Sequence, residues 1–159
     1  QQNPPIREKY HQDALWKAIN DGTVDIVASD HAPHTLEEKS GTYPHTPSGT
    51  PGVQTLLPIM LNHAASGKLS YERIVELMAY GPIRVHKIKN KCLISEGYDA
   101  DFTIVDPNLT HLISNSEQAS KSGWTPYDGK AVKGMPIMTI IRGVTVMRDG
   151  ELILSLIHI

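Results

Sequence analysis

The stretch VDIVASDHAPHTLEEK, residues 24–39, passes from an apolar segment to a polar one without a spacer. Four of the five residues 24–28 are apolar, and Ser29, Asp30, His31 and His34 follow closely. The apolar segment predicts a short buried strand. Residues 8–21, closed by Gly22, predict a helix before it, with one apolar face formed by Ala14, Leu15, Ala18 and Ile19. Helix, tight turn and buried strand in this order are typical of an α/β protein with parallel strands.

Asp30 would lie at the carboxyl end of this strand, where α/β folds bind their ligands. A carboxylate there can bind a divalent metal, act as a general base, or do both. The alternative is that Asp30 only caps the loop or helix that follows. His31 is more simply a structural residue than a metal ligand. One carboxylate does not hold a metal alone, because catalytic zinc sites use about three protein ligands.

The rest of the chain divides into a helical part and a β part. Residues 34–52, with three prolines and three glycines, predict a long irregular loop. Residues 53–65 predict a helix, and a second helix should begin after Ser70 and break at Gly81-Pro82, where Pro82 can open another short helix. Its predicted buried residues are Ile74, Leu77 and Met78. The segments DFTIVD, THLIS, PIMTIIRG and VTVMRDG predict a separate, mostly antiparallel β unit after Lys91.

Composition narrows the possible classes of protein. The 159 residues are 40% hydrophobic and 20% charged with a net charge of -2, which gives no general attraction to nucleic acid or anionic membranes. No apolar run approaches the roughly 20 residues that a membrane span needs. The single cysteine, Cys92, fits a reducing cytosol. Trp16 and Trp124 are most simply packing residues.

The last residues, LSLIHI at 154–159, follow no cap or turn pattern. They match the translation of a transposon end used in sequencing libraries, CTG TCT CTT ATA CAC ATC. We therefore interpret residues 154–159 as a tail derived from a sequencing adapter and exclude them from the fold prediction. The alternative is a genuine terminal strand.

Several ordered motifs resemble the dihydroorotases of the amidohydrolase superfamily. SDHAPHTLEEK (29–39) followed by PSGTPGVQTLLPIML (47–61) resembles the second signature of that family, and NPPIR (3–7) resembles its N-P-P-[LI]-R segment. EGYDADFTIVD (96–106) and the segment 122–150 are similar to its closing β region. Allantoinases and hydantoinases have a similar Asp-His, but D-H-A-P-H together with N-P-P favours dihydroorotase.

The resemblance implies an α/β fold with two parts. Residues 1–91 would be the C-terminal portion of a metal-dependent (β/α)8 barrel, and residues 92–153 the C-terminal half of a small β-sandwich domain. The implied reaction is the reversible hydrolysis of dihydroorotate to N-carbamoyl-L-aspartate in pyrimidine synthesis, in the cytoplasm, with one or two Zn²⁺ ions as cofactor. The implied partners are the small-molecule substrate, and a second copy or aspartate carbamoyltransferase.

The resemblance also implies roles for individual residues. Asp30 matches a metal ligand that is also the general base. Asn3, His34, Ser48 and Gly49 match positions that bind the substrate. His31 matches a motif position to which we assign no direct role.

Most ligands of the family's metal site, including its H-x-H pair and bridging lysine, have no match in this sequence. The sequence therefore looks truncated at both ends. We expect the chain made alone to be unstable and to neither bind zinc tightly nor turn over dihydroorotate. Two other hypotheses remain open: another cyclic amidase, such as an allantoinase or hydantoinase, and a non-catalytic homologue that serves as an assembly subunit.

Overall fold

The computed structural model describes residues 1–154, so the predicted tail at 154–159 lies, apart from Leu154, outside the described residues. The helices are α1 (Lys9–Asn20), α2 (Leu36–Lys39), α3 (Leu56–Ala65), α4 (Tyr71–Val75) and α5 (Gly81–His86). The strands are β1 (Phe102–Leu112), β2 (Ala131–Ile141), β3 (Val144–Arg148) and β4 (Glu151–Leu152). Within residues 1–154, no helix combines the length and the apolar character that crossing a membrane requires.

The predicted helices form, with some corrections to their details. The side chain of Ser70 accepts a hydrogen bond from the backbone N–H of Arg73 and caps α4, and Ile74 and Leu77 are buried as predicted. In α1, Trp16 and Ile19 pack against the helical core, whereas Leu15, which was placed on the predicted buried face, is exposed. The buried face of α1 therefore lies further round the helix than predicted.

The predicted short helix that begins at Pro82 is confirmed as α5, but the predicted break before it is wrong. A π-helical turn, Glu76–Tyr80, joins α4 to α5 without interruption. The N–H of Gly81 bonds to the carbonyl of Glu76, five residues earlier. This wider turn precedes Pro82, which has no N–H to donate, so the helix accommodates the proline instead of ending there.

The predicted strand at 24–28 is also wrong for the described residues, because none of these residues enters a β ladder. The N–H of Val27 donates instead to the carbonyl of Leu77 at 3.2 Å, and the guanidinium of Arg73 donates to the carbonyl of Val24 at 2.6 Å. A strand requires a neighbour to complete its ladder, and residues 1–154 supply none beside this segment. The segment is half-buried against the helical core.

The predicted antiparallel β unit is confirmed. The four strands pair in the order β1-β2-β3-β4, all antiparallel. The two predicted segments DFTIVD and THLIS fall in one strand, β1, whose register shifts between Asp106 and Thr110, around a proline that cannot donate to the ladder. The turns Arg142-Gly143 and Asp149-Gly150 have positive φ at both residues, as tight hairpins require. The described residues form this one sheet, so the two-sheet sandwich stays a prediction.

Helix α3 attaches the sheet to the helical part. Its Leu61 belongs to the helical core, while its Ile59 packs with Ile113 and Val132 of the β unit. Gly134 of β2 lies so close to α3 that a Cβ there would be 2.8 Å from the Cβ of Leu61. These contacts hold the middle of α3 on the β unit.

Candidate active site

Asp30 lies where the segment 24–28 ends, beside the loop that leads into α3. A parallel bridge joins His31 to Thr50, and the N–H of Ala32 donates to the carbonyl of Thr50 at 3.1 Å. Asp30 has a φ of 44°, a left-handed conformation that aspartate tolerates better than most residues. Its side chain is exposed and accepts no hydrogen bond from the described residues. The carboxylate is therefore free to bind a ligand or exchange a proton.

His31 has a structural role. Its Nδ1 accepts hydrogen bonds from the backbone N–H groups of Gly52, at 3.0 Å, and Val53, at 3.3 Å. A ring nitrogen that accepts carries no proton, so we assign the proton of a neutral ring to Nε2. His31 thus holds in place the backbone that leads into α3, and its Nδ1 is not available to a metal.

Residues 34–52, predicted as an irregular loop, contain the one-turn helix α2. A capping box begins it: the hydroxyl of Thr35 accepts from the N–H of Glu38 at 3.2 Å, and the carboxylate of Glu38 accepts from the N–H of Thr35 at 2.8 Å. This second bond is the main cause that holds the pKa of Glu38 below its usual range. The same carboxylate lies 3.5 Å from Nδ1 of His34, so an ionised Glu38 faces the imidazole.

Two side-chain bridges tie this region to the β unit. The indole N–H of Trp124 donates to the backbone carbonyl of His34 at 2.7 Å, so Trp124 anchors the loop. The amide of Gln54 donates to the carbonyl of Glu117 at 2.8 Å and accepts from the N–H of Ala119 at 2.9 Å. Residues 117–124, which follow β1, therefore hold the loop at His34 and at Gln54.

Two predicted substrate residues meet in a cleft of about 610 Å³. Asn3 and Ser48 both line it, and the N–H of Gly49 donates to the carbonyl of Gln1 at 3.3 Å, which brings the N-terminal segment against the loop. The full lining is Gln1, Gln2, Asn3, Pro5, Lys39, Gly41, Tyr43, Thr46 and Ser48. Asp30 and His34 are not among these residues, so the structure places them outside the cleft wall.

Gly49 is buried with a φ of +122°, which favours glycine. A Cβ at this position would lie 2.6 Å from the Cβ of Ala32 and 2.8 Å from its carbonyl oxygen. The family resemblance implies that the backbone at Gly49 meets the substrate, where glycine would permit a close approach. In the structure, the close approach that requires glycine is between the loop and Ala32. Contact of Gly49 with substrate stays a prediction.

The role of Lys39 could not be predicted from the sequence. Its ammonium donates to three backbone carbonyls, those of Gln1 at 3.1 Å, Pro47 at 2.8 Å and Gly49 at 3.0 Å. The one available signal was a lone lysine at the end of a capping-box helix beside a loop rich in proline and glycine. Nothing in that pattern reveals which carbonyls the fold brings to it.

The described residues fit a metal site only in part. Within residues 1–154, no group of three or more His, Cys, Asp or Glu side chains could hold a metal ion. The free carboxylate of Asp30 suits one ligand position, whereas a catalytic zinc site needs about three protein ligands. Residues 1–154 therefore supply one candidate ligand and would need others to hold a metal.

Curated relatives match almost the whole chain. The dihydroorotase of Pyrococcus furiosus is 45% identical over 150 residues, which cover 94% of this chain and 34% of that protein. The dihydroorotase of Halobacterium salinarum is 43% identical over 149 residues, which cover 94% and 35%. The chain thus spans about one third of the length of these relatives.

Solved structures agree with this relationship. The L-hydantoinase (dihydropyrimidinase) of Arthrobacter aurescens superposes with a TM-score of 0.92 at 31% identity, over 98% of this chain and 36% of that chain. The D-hydantoinase (dihydropyrimidinase) of Thermus sp. superposes with a TM-score of 0.89 at 26% identity, over 97% and 35%. The model of the amidohydrolase family matches residues 7–146. Because that match covers most of the sequence, the chain belongs to the amidohydrolase family.

Proposed function

We propose that this chain is part of a dihydroorotase, which reversibly hydrolyses the cyclic amide of (S)-dihydroorotate to N-carbamoyl-L-aspartate in pyrimidine biosynthesis. The main support for this proposal is that the chain is 37–45% identical, over 92–95% of its length, to proteins named dihydroorotase. In this proposal, residues 1–91 are the C-terminal portion of a (β/α)8 barrel and residues 92–153 are half of a small β-sandwich domain.

Asp30 is the proposed general base and acid. Its exposed carboxylate, free of hydrogen bonds to the described residues, takes a proton from the attacking water and passes it to the leaving ring nitrogen. It is also the proposed zinc ligand of this chain, and the other ligands come from residues outside 1–154. Zinc, when bound, supplies a Lewis acid and lowers the pKa of water. His31, whose Nδ1 is occupied by the loop, pairs with Thr50 and so holds the backbone next to Asp30.

The proposed substrate contacts come from two segments. Asn3 and Ser48, which both line the cleft, offer an amide and a hydroxyl, and these groups can hold a polar ring. Gly49 offers its N–H, whose bond to the carbonyl of Gln1 is long enough, at 3.3 Å, to be exchanged for a bond to substrate. His34 offers an imidazole N–H to the substrate carboxylate.

A hydantoinase is the second candidate, because the L-hydantoinase of Arthrobacter aurescens superposes with a TM-score of 0.92. A panel of dihydroorotate, hydantoin, dihydrouracil and allantoin, tested on the complete gene product with added zinc, separates the two. We expect kcat/KM for dihydroorotate to exceed the others by about 100-fold or more, because a site that pairs a substrate carboxylate rejects uncharged rings. Preference for hydantoin or dihydrouracil would support the second candidate, and no turnover would support a non-catalytic assembly subunit.

Replacing Gly49 by alanine should weaken substrate binding. The new Cβ cannot fit against Ala32, so the loop must move and carry Ser48 with it. Because displacements of about 1 Å in an active site are costly, we expect KM for dihydroorotate to rise about ten-fold or more. The matched control is Gly97→Ala, where φ is +85° but no atom lies within 4 Å of the added Cβ. An unchanged KM in Gly49→Ala would contradict the proposed role of this loop.

We also propose that the enzyme works in the cytoplasm, either as a homodimer or in a complex with aspartate carbamoyltransferase. The thiol of Cys92 supports a reducing compartment, since no other cysteine in this chain can pair with it. Light scattering of the complete gene product, alone and mixed with the carbamoyltransferase of the same organism, distinguishes these assemblies.

A further inference from the structure

The ammonium of Lys39 is fully occupied by backbone carbonyls. A lysine ammonium has three N–H donors, and its three acceptors here lie 3.1 Å, 2.8 Å and 3.0 Å away, on Gln1, Pro47 and Gly49. Lys39 therefore has no donor left for a substrate. Any effect of Lys39 on substrate binding must therefore be indirect, through the backbone that it holds in place.

The three carbonyls belong to the two chain segments that carry Asn3 and Ser48, both of which line the cleft. Pro47 and Gly49 flank Ser48, and Gln1 lies two residues before Asn3. One ammonium thus fixes the backbone on both sides of Ser48 and draws in the segment that carries Asn3. Lys39 in turn is held at the end of α2, the helix that the capping box of Thr35 and Glu38 begins.

The charge of Lys39 is not neutralised locally. Among residues 1–154, no carboxylate lies within ion-pair distance of its ammonium. Since Lys39 itself lines the cleft, it adds a positive potential there. A positive potential in a cleft favours an anionic ligand.

We propose that Lys39 is a positioning residue for an anionic substrate: it clamps the walls carrying Asn3 and Ser48 and makes the cleft positive. This inference rests on the proposed dihydroorotase function, whose substrate and product both carry carboxylates. Lys39 acts on binding, through Asn3 and Ser48, and takes no part in proton transfer. Its removal should therefore raise KM much more than it lowers kcat.

The first test is Lys39→Met in the complete gene product, which keeps the length of the side chain and removes its donors and charge. We expect KM for dihydroorotate to rise about ten-fold or more while kcat changes by less than about three-fold, because ground-state binding is lost. Lys39→Arg should raise KM less than Lys39→Met does, because arginine keeps the positive charge but its planar guanidinium cannot address three converging carbonyls. The matched control, Lys9→Met, should leave both parameters unchanged. An unchanged KM in Lys39→Met would overturn the proposal.

Chemical rescue separates a specific clamp from general damage. In a background from which Cys92 and every other cysteine of the complete gene product have been replaced by serine, Lys39→Cys is alkylated with bromoethylamine, which restores an ammonium at nearly the original distance. We expect the low KM to return, whereas the same treatment of the parent with Lys39 intact should change nothing. A KM that stays high after complete alkylation would overturn the proposal.

Hydrogen exchange supplies a readout that does not depend on activity. In Lys39→Met, the amides of residues 1–6 and 46–52 should exchange faster, and aminoethylation of Lys39→Cys should slow them again. Unchanged exchange in both segments would overturn the clamp. Faster exchange in a protein that never turns over dihydroorotate would support the clamp but overturn the proposed function, so the two failures are distinguishable.

Discussion

Asp30→Asn should lower kcat for dihydroorotate by about 10³-fold or more in the zinc-loaded complete gene product. General acid–base catalysis alone contributes about 10²–10⁴-fold, and the substitution also weakens the proposed metal ligand. Asparagine keeps the size of the side chain and tolerates the left-handed φ of 44° at this position. The loss would therefore come from chemistry and not from a distorted backbone.

The matched control for this prediction is Asp13→Asn, an exposed aspartate on α1 away from the site. It should keep the kcat of the wild-type enzyme. Metal analysis of both variants shows whether Asp30→Asn has lost zinc, activity or both. An Asp30→Asn enzyme within about ten-fold of wild type would rule out Asp30 as the base, because removing a true general base costs more than that.

Gly81→Ala should destabilise the protein by about 3 kcal/mol or more, because overpacking against rigid backbone is among the costlier substitutions. The added Cβ would lie 2.1 Å from the carbonyl oxygen of Asp25 and 2.9 Å from that of Glu76. Gly81 has a helical φ of -59°, where alanine is otherwise better than glycine by about 1 kcal/mol. The expected net loss is therefore smaller than the cost of the clash itself, because the gain in helix propensity offsets part of it.

The clash should also disturb the candidate active site at Asp30. Moving Asp25 away from α5 displaces the segment 24–28, at whose end Asp30 lies. Gly41→Ala is the control, since its Cβ would meet only a side-chain methyl of Thr46, at 3.2 Å. Denaturant unfolding of both variants measures the difference. A Gly81→Ala protein as stable as wild type would contradict the close packing of this segment on the helix.

Sequence patterns predicted the parts of the fold that depend on local structure. The cap at Ser70, the buried Ile74 and Leu77 and the four antiparallel strands follow from side-chain chemistry and periodicity, and the structure has them. The segment 24–28 has the composition of a strand but forms none, because a ladder requires neighbours that residues 1–154 do not provide. Pro82 predicted a break, but a wider turn before it allowed the helix to continue.

The candidate site could be predicted only by residue type. Asp30, with its free carboxylate at the end of an apolar segment, was found from the pattern, and Asn3 and Ser48, found from the resemblance, do share a cleft. The roles of Lys39 and Trp124 depend on backbone carbonyls from distant segments. No pattern of side chains encodes where those carbonyls meet, so these anchors became visible only in the folded chain.

A crystal structure of the complete, zinc-loaded protein with N-carbamoyl-L-aspartate tests the central claim most directly. We predict a carboxylate oxygen of Asp30 about 2.0–2.2 Å from the metal, the usual length of such a bond. We also predict contacts between the ligand and both Asn3 and Ser48. A ligand bound elsewhere, or an Asp30 carboxylate that contacts neither the metal nor the reacting amide, would contradict the account.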